Sequence, residues 1–217
     1  MATTADINSG ILFSKSSSLR VTVAVFVTAL VYLLLRVPAP EFFLESDDQG
    51  YQMALGMAVV TGRFPGFDFV SQYGPLVAFS SALAYLLSGN LIGEIVLCAA
   101  GYAAAIALVY RYLARHANMT IGLLGAVATV ILFSRFYKWY YWLLPLAVLV
   151  LSDAYKQTRE SGASPWRMLI GWGALVGISG LFRYDLLIEG AGFGGAIIAA
   201  HDLTDRKSTR LNSSHTD

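Results

Sequence analysis

Charge is what this 217-residue sequence has least of. Lys, Arg, Asp and Glu make up 13% of it, where a soluble globular domain carries about a quarter. The 15 basic and 14 acidic side chains leave a net charge of +1, which offers no bulk attraction to nucleic acid, so no nucleic-acid partner is expected. A single cysteine, Cys98, excludes an internal disulfide and reads as a small buried or lipid-facing residue in an apolar run. The three histidines, His116, His201 and His215, are too scattered to supply zinc-ligand spacing. Internal repeats and low-complexity segments are missing. A phosphate loop is missing too: the glycines of 190–195 follow no strand and read as small-residue helix packing.

Apolar side chains are what is there, at 56% of the chain with a mean hydropathy of +0.59. Several runs approach the ~20 residues needed to cross a bilayer. Residues 1–18 are polar with small residues and carry no cleavage-site pattern, so the run 21–37 reads as a signal anchor that Pro38-Ala-Pro40 ends. Further apolar runs cover 91–113, 119–133, 143–151, 168–181 and 186–200. The expected fold is all-α: a polytopic membrane helix bundle of about six transmembrane helices, with two interfacial helices in the first outer loop. The C-terminal Asp205-Arg-Lys-Ser-Thr-Arg-Leu-Asn-Ser-Ser-His215 resembles the translation of a widely used sequencing-library adapter. The natural sequence is therefore expected to stop near Thr204, with 205–217 an artefactual tail. That leaves 1–18 as a cytoplasmic segment and 19–204 as the N-terminal part of one membrane domain.

The outer loop, 38–90, interrupts the hydrocarbon with polar, aromatic and Gly/Pro-punctuated sequence. Asp47 or Asp48 suits a helix cap. Tyr51, Ala54, Leu55 and Ala58 recur at helical spacing, and Gly62 makes a stop. Residues 64–74 read as irregular and interfacial, and Pro75 opens a second helix that Gly89 closes. With the N-terminus inside and 76–87 interfacial, Lys15, Arg20, Arg111, Arg115, Lys156, Arg159 and Arg167 fall on the cytoplasmic side. Arg36, Arg63, Arg135, Lys138 and Arg183 fall outside, a modest bias with the sign of the positive-inside rule. Asn118-Met-Thr120 fits a glycosylation acceptor but lands on a cytoplasmic turn in this topology. The Asp47/Asp48 loop, the Arg135–Lys138 aromatic cluster and Arg183-Tyr-Asp185 all land on one outer face.

Each of these residues has a structural and a chemical reading. Lys138, Trp139 and Trp142 suit interfacial anchoring as well as a site. Arg183 and Asp185 break an apolar stretch, where a charge at mid-bilayer costs roughly 2.5–3.5 kcal/mol, so a tight turn at the surface is expected there. Glu94 and Glu189, near outer span ends, are candidates for lining a cavity. A loop carboxylate can act as general base on an acceptor hydroxyl. Guanidinium and ammonium groups can stabilise charge building on a phosphate leaving group. Together they describe sugar transfer from a lipid phosphate.

Asp48-Gln-Gly-Tyr51, Gly62-Arg-Phe-Pro-Gly-Phe-Asp68-Phe and Gln72-Tyr-Gly-Pro-Leu76 resemble the first outer loop of the C-type glycosyltransferases. These are multi-span enzymes of the protein O-mannosyltransferase and aminoarabinose-transferase kind. Phe182-Arg-Tyr-Asp-Leu186 resembles a motif of some bacterial members. The resemblance implies an integral membrane glycosyltransferase, in a bacterial inner membrane with an extracytoplasmic active face, taking its sugar from a polyprenyl-phosphate donor. The acceptor is a protein, lipid or glycan. By the resemblance Asp48 is the catalytic base, with Asp47 as its understudy. Gln49 stands where the family has a second carboxylate, which leaves a divalent metal open. Arg135, Lys138 and Arg183 are then candidate donor-phosphate contacts. Asp185, Tyr51, Gln72 and Tyr73 are candidates to line or orient the cavity. Acceptor recognition is expected in sequence beyond Thr204, on which the activity of this fragment would depend. The rivals are a transporter fragment whose path is marked by Glu94, Asp185 and Glu189, and a non-catalytic member of the same superfamily.

Overall fold

The computed structural model describes residues 15–36, 46–132, 138–200 and 202–203; the side chains of 15–18, 46–49 and Leu91 are outside that description. Among the described residues the fold is all-helical. In chain order, α1 is Lys15–Arg36, α2 Ser46–Val60, α3 Pro75–Ser88, α4 Leu91–His116, α5 Met119–Leu132, α6 Tyr140–Glu160, α7 Trp166–Phe182 and α8 Tyr184–Glu189. A π-helical turn, Gly190–Gly194, follows α8, and 195–200 return to α-helix. Two stretches, Leu19–Arg36 and Ile92–His116, are long and apolar enough to cross a membrane, while α3, α5 and α7 are shorter apolar helices.

The centre of the bundle is α4, which packs on α1, α3, α5 and α6. Small side chains make this close approach feasible, the usual device where no hydrophobic force drives helices together. Cys98, Ala99 and Ala103 are fully buried on α4. Gly101 lies against the Trp139 indole, where a Cβ would sit 2.6 Å from the ring. Gly122 of α5 meets Ala114 and Tyr110 of α4 in the same way. At the far end of the pair, Arg115 of α4 and Asp153 of α6 are 3.5 Å apart. The contact pairs Gly101–Trp139 and Arg115–Asp153 keep one sequence offset, so α4 and α6 run parallel, and α5 runs back along α4, with Gly122 and Gly125 against Ala114 and Leu113.

Outward-facing positions stay apolar. On α1, Val23, Val27, Val31 and Leu35 are exposed, and on α5 so are Leu124, Val127, Ile131 and Leu132. A water-facing helix surface would carry polar residues there.

The first loop departs from expectation in its details. α2 begins at Ser46, so Asp47 and Asp48 lie inside its first turn rather than at the cap. Its buried stripe is Gln52, Leu55 and Gly56, and Ala54 is exposed. The stripe is set by α3: a Cβ on Gly56 would lie 2.7 Å from the Ala82 backbone nitrogen. Gly62 does end the helix. At φ 88 it donates to Val59 while Arg63 donates to Ala58, the paired bonds of a Schellman motif. Pro75 opens α3, and Gly89 closes it at φ 69. α3 then runs antiparallel along α4, with Ala84 over Gly93 and Ser81 beside Glu94. The expected run 186–200 is interrupted by the π turn. Residues 204–217 fall outside the described residues.

Candidate functional site

Residues 72–74 are pinned to the end of α7. The Gly74 N–H donates to the Phe182 carbonyl at 2.7 Å, and a Cβ on Gly74 would run into the Leu181 carbonyl. Only glycine allows this approach. The contact delivers Tyr73, buried to 7% exposure, to the floor of an aromatic cluster. Tyr51 of α2 lies 6.1 Å from the Tyr73 ring, and Tyr140 of α6 meets it edge-on at 6.4 Å. Phe182 stacks on Tyr140 at 5.3 Å, and Trp139 meets Phe182 edge-on.

Two cations sit over this floor. The Lys138 Nζ is 5.9 Å from the Tyr73 ring centre, and the Arg183 guanidinium carbon is 5.8 Å from the same ring. Arg183 also lies 4.8 Å above Tyr141. Cations over aromatic faces at this range are attracted by the ring quadrupole. One extended residue, Arg183 itself, joins α7 to α8, and the chain doubles back there as the expected tight turn requires, with Gly180 against Leu187 and Gly190 against Val176. Its side chain is clamped by Asp185: Nε donates to Oδ1 at 2.9 Å and Nη2 to Oδ2 at 2.7 Å. The hydrogen bond from Arg183, reinforced by its charge, holds the Asp185 carboxyl below the usual aspartate range. The same bond pushes the Arg183 guanidinium up. The clamp uses one edge of the fork and leaves Nη1 to face another ligand, the geometry in which arginine takes a second anion.

Tyr51, Tyr73, Lys138, Arg183 and Asp185 therefore meet at one end of the bundle. Asp47 and Asp48 open α2 one turn before Tyr51 and Gln52; their side chains, and all of Arg135, lie outside the described residues. Gln72 is exposed and stands apart from the cluster, because the chain turns inward only at Tyr73. Trp139 proves to be a core side chain packed on Gly101 rather than an interfacial anchor. Asp68, within the loop motif, closes its own turn by accepting from the Phe64 N–H at 2.7 Å.

Neither glutamate lines this site. Glu94 is buried to 3% exposure between α3 and α4, with the Cys98 thiol 3.8 Å from its Oε1. Glu189 is exposed on a separate cleft beside α6. Among the described residues no three His, Cys, Asp or Glu side chains come together, so a divalent ion finds no ready-made ligand set there. The opposite end of the bundle holds Arg115, His116 and Asp153, and Arg159 with Asp202.

Sequence reasoning missed Tyr140, Tyr141 and Phe182 as the floor under the cations. The density of aromatics just after Lys138 was the available signal. It also missed Gln52, whose side chain is 1% exposed one turn after Asp48. No protein-family model, curated protein or solved structure matches the chain.

Proposed function

We propose that this chain is the N-terminal part of an integral membrane glycosyltransferase of the C-type kind. It moves a sugar from a polyprenyl-phosphate donor to an acceptor on the extracytoplasmic side. The observation that carries the reading is the meeting of the first loop, through Tyr51 and Tyr73, with Lys138 and the Arg183–Asp185 pair. These come from three segments far apart in sequence.

In this reading Asp48 accepts the proton of the acceptor hydroxyl as the new glycosidic bond forms. The sugar–phosphate bond breaks, and the electron pair stays with the phosphate. Arg183 and Lys138 stabilise the charge that builds there, a role the resemblance extends to Arg135. Asp185 holds Arg183 so that its free edge faces the phosphate. Six spans cross the bilayer, α2 and α3 belong to the outer loop, and the outer face is that of Tyr73. The clustering of Arg115, His116, Lys156 and Arg159 at the far end of α4 and α6 favours that end as cytoplasmic.

A transporter path is less well supported. It needs Glu94, Asp185 and Glu189 along one route, whereas Glu94 is buried under α3, Asp185 is bonded to Arg183 and Glu189 is exposed on a separate cleft.

The test is Asp48→Asn in the complete reading frame. Transfer of labelled sugar from a polyprenyl-phosphate donor should be lost, with expression and membrane insertion unchanged. Undiminished turnover would refute the assignment.

A further inference from the structure

A second feature lies one turn further along α8. Glu189 borders a cleft of about 130 Å³, several times what one water occupies. One wall is α6, through Pro145, Val148 and Leu149; the other is the face that Glu189, Phe193 and Ile197 share at four-residue spacing. Two backbone irregularities make the cleft. Pro145 lies inside α6 and has no N–H to give the Tyr141 carbonyl, so that rung of the helix is missing where the cleft opens. Opposite it the π turn re-aims the chain, and its glycines press on α7: a Cβ on Gly194 would lie 2.5 Å from Trp172 Nε1. The turn is thus held against α7 while its other face stays open.

The cleft is apolar except for its rim. There Glu189 is exposed, with no hydrogen bond or ion pair among the described residues. Its neighbours Ile188 and Phe193 are exposed at 66% and 74%. A free carboxylate beside a lipid-facing apolar surface is costly unless a cation meets it. An apolar slot with a lone negative charge at its mouth complements an amphiphile with a positive head.

We propose that this cleft binds an amine-headed glycerophospholipid, one hydrocarbon chain lying between α6 and the Gly190–Gly194 turn and the ammonium meeting Glu189. Four residues of helix, about 6 Å, separate Glu189 from Asp185. That spacing puts the carboxylate just inside the outer surface, at the depth of a lipid headgroup. The inference rests on the chain being membrane-embedded and not on sugar transfer, so Asp48→Asn leaves it untouched.

The test uses the whole chain in nanodiscs of equal phosphatidylethanolamine and phosphatidylglycerol with identical acyl chains. The lipid retained after mild detergent extraction is counted by native mass spectrometry. Wild type should keep phosphatidylethanolamine over phosphatidylglycerol by about fourfold, the upper range for an exposed ion pair. Glu189→Gln, a surface change that leaves the packing alone, should bring the two to parity, and Glu189→Lys should reverse the preference. Ile197→Trp, which narrows the slot, should lower retention of both lipids. Equal retention by wild type, or a preference that survives Glu189→Gln, overturns the proposal.

Discussion

Arg183 shows how much one residue's surroundings decide. In a run of Leu, Phe and Ile its charge would be a defect, but here two bonds donated to Asp185 and two aromatic faces hold it in place. Because the folded-state carboxyl of Asp185 is depressed, the pair stabilises the fold above the ordinary aspartate pKa. That contribution is lost as pH falls through the lower folded value, below about 4. The pair is partly exposed, so Asp185→Asn should cost under about 1 kcal/mol near neutral pH, and the difference from wild type should shrink at a second, acidic pH below the depressed carboxyl value. Thermal unfolding in detergent at the two pH values measures it; a gap that persists in acid contradicts the assignment. The charged pair was legible because charge is so rare in this sequence. The central place of Tyr73 was not, since nothing in Gln72-Tyr-Gly-Pro75 tells which of Gln72 and Tyr73 turns inward.

Among the elements, the contact between Gly74 and the end of α7 is the joint on which the site depends. Any side chain at Gly74 meets the Leu181 carbonyl and breaks the 2.7 Å bond to Phe182. Gly74→Ala should destabilise the protein by about 2 kcal/mol, the cost of overpacking a tight contact. It should also loosen Arg183 from Tyr73, read as faster hydrogen exchange at 182–186 with α5 unchanged. Exchange that stays slow there would show that the joint is dispensable. The punctuation of these elements was readable: Gly62, Pro75 and Gly89 each do locally what their backbone chemistry dictates. The burial of Gln52 and Gly56 was not, because the stripe on α2 is chosen by the backbone of α3 beneath it.

For the whole molecule, the reading of inside and outside makes a direct prediction. In a Cys98→Ser background, cysteine at the exposed Phe67 position should react with a membrane-impermeant maleimide on intact cells. Cysteine at Ser161, in the turn between α6 and α7, should react only after permeabilisation. Labelling of both, or the reverse order, would discard the orientation. The sequence by itself determined the class of structure: low charge and apolar runs dictate helices with hydrocarbon surfaces, and glycine and proline dictate where several of them stop. It also marked Arg183, Asp185 and Lys138, because an ionisable group among apolar residues needs a reason. Which helices lie side by side was decided by tertiary packing alone, since small residues such as Gly93, Gly101 and Gly122 fit many partners equally until the bundle closes. That packing sent Glu94 under α3, put Trp139 in the core and brought Tyr51 and Tyr73 to the cations. Proximity across a long stretch of chain depends on shape complementarity that no local pattern encodes.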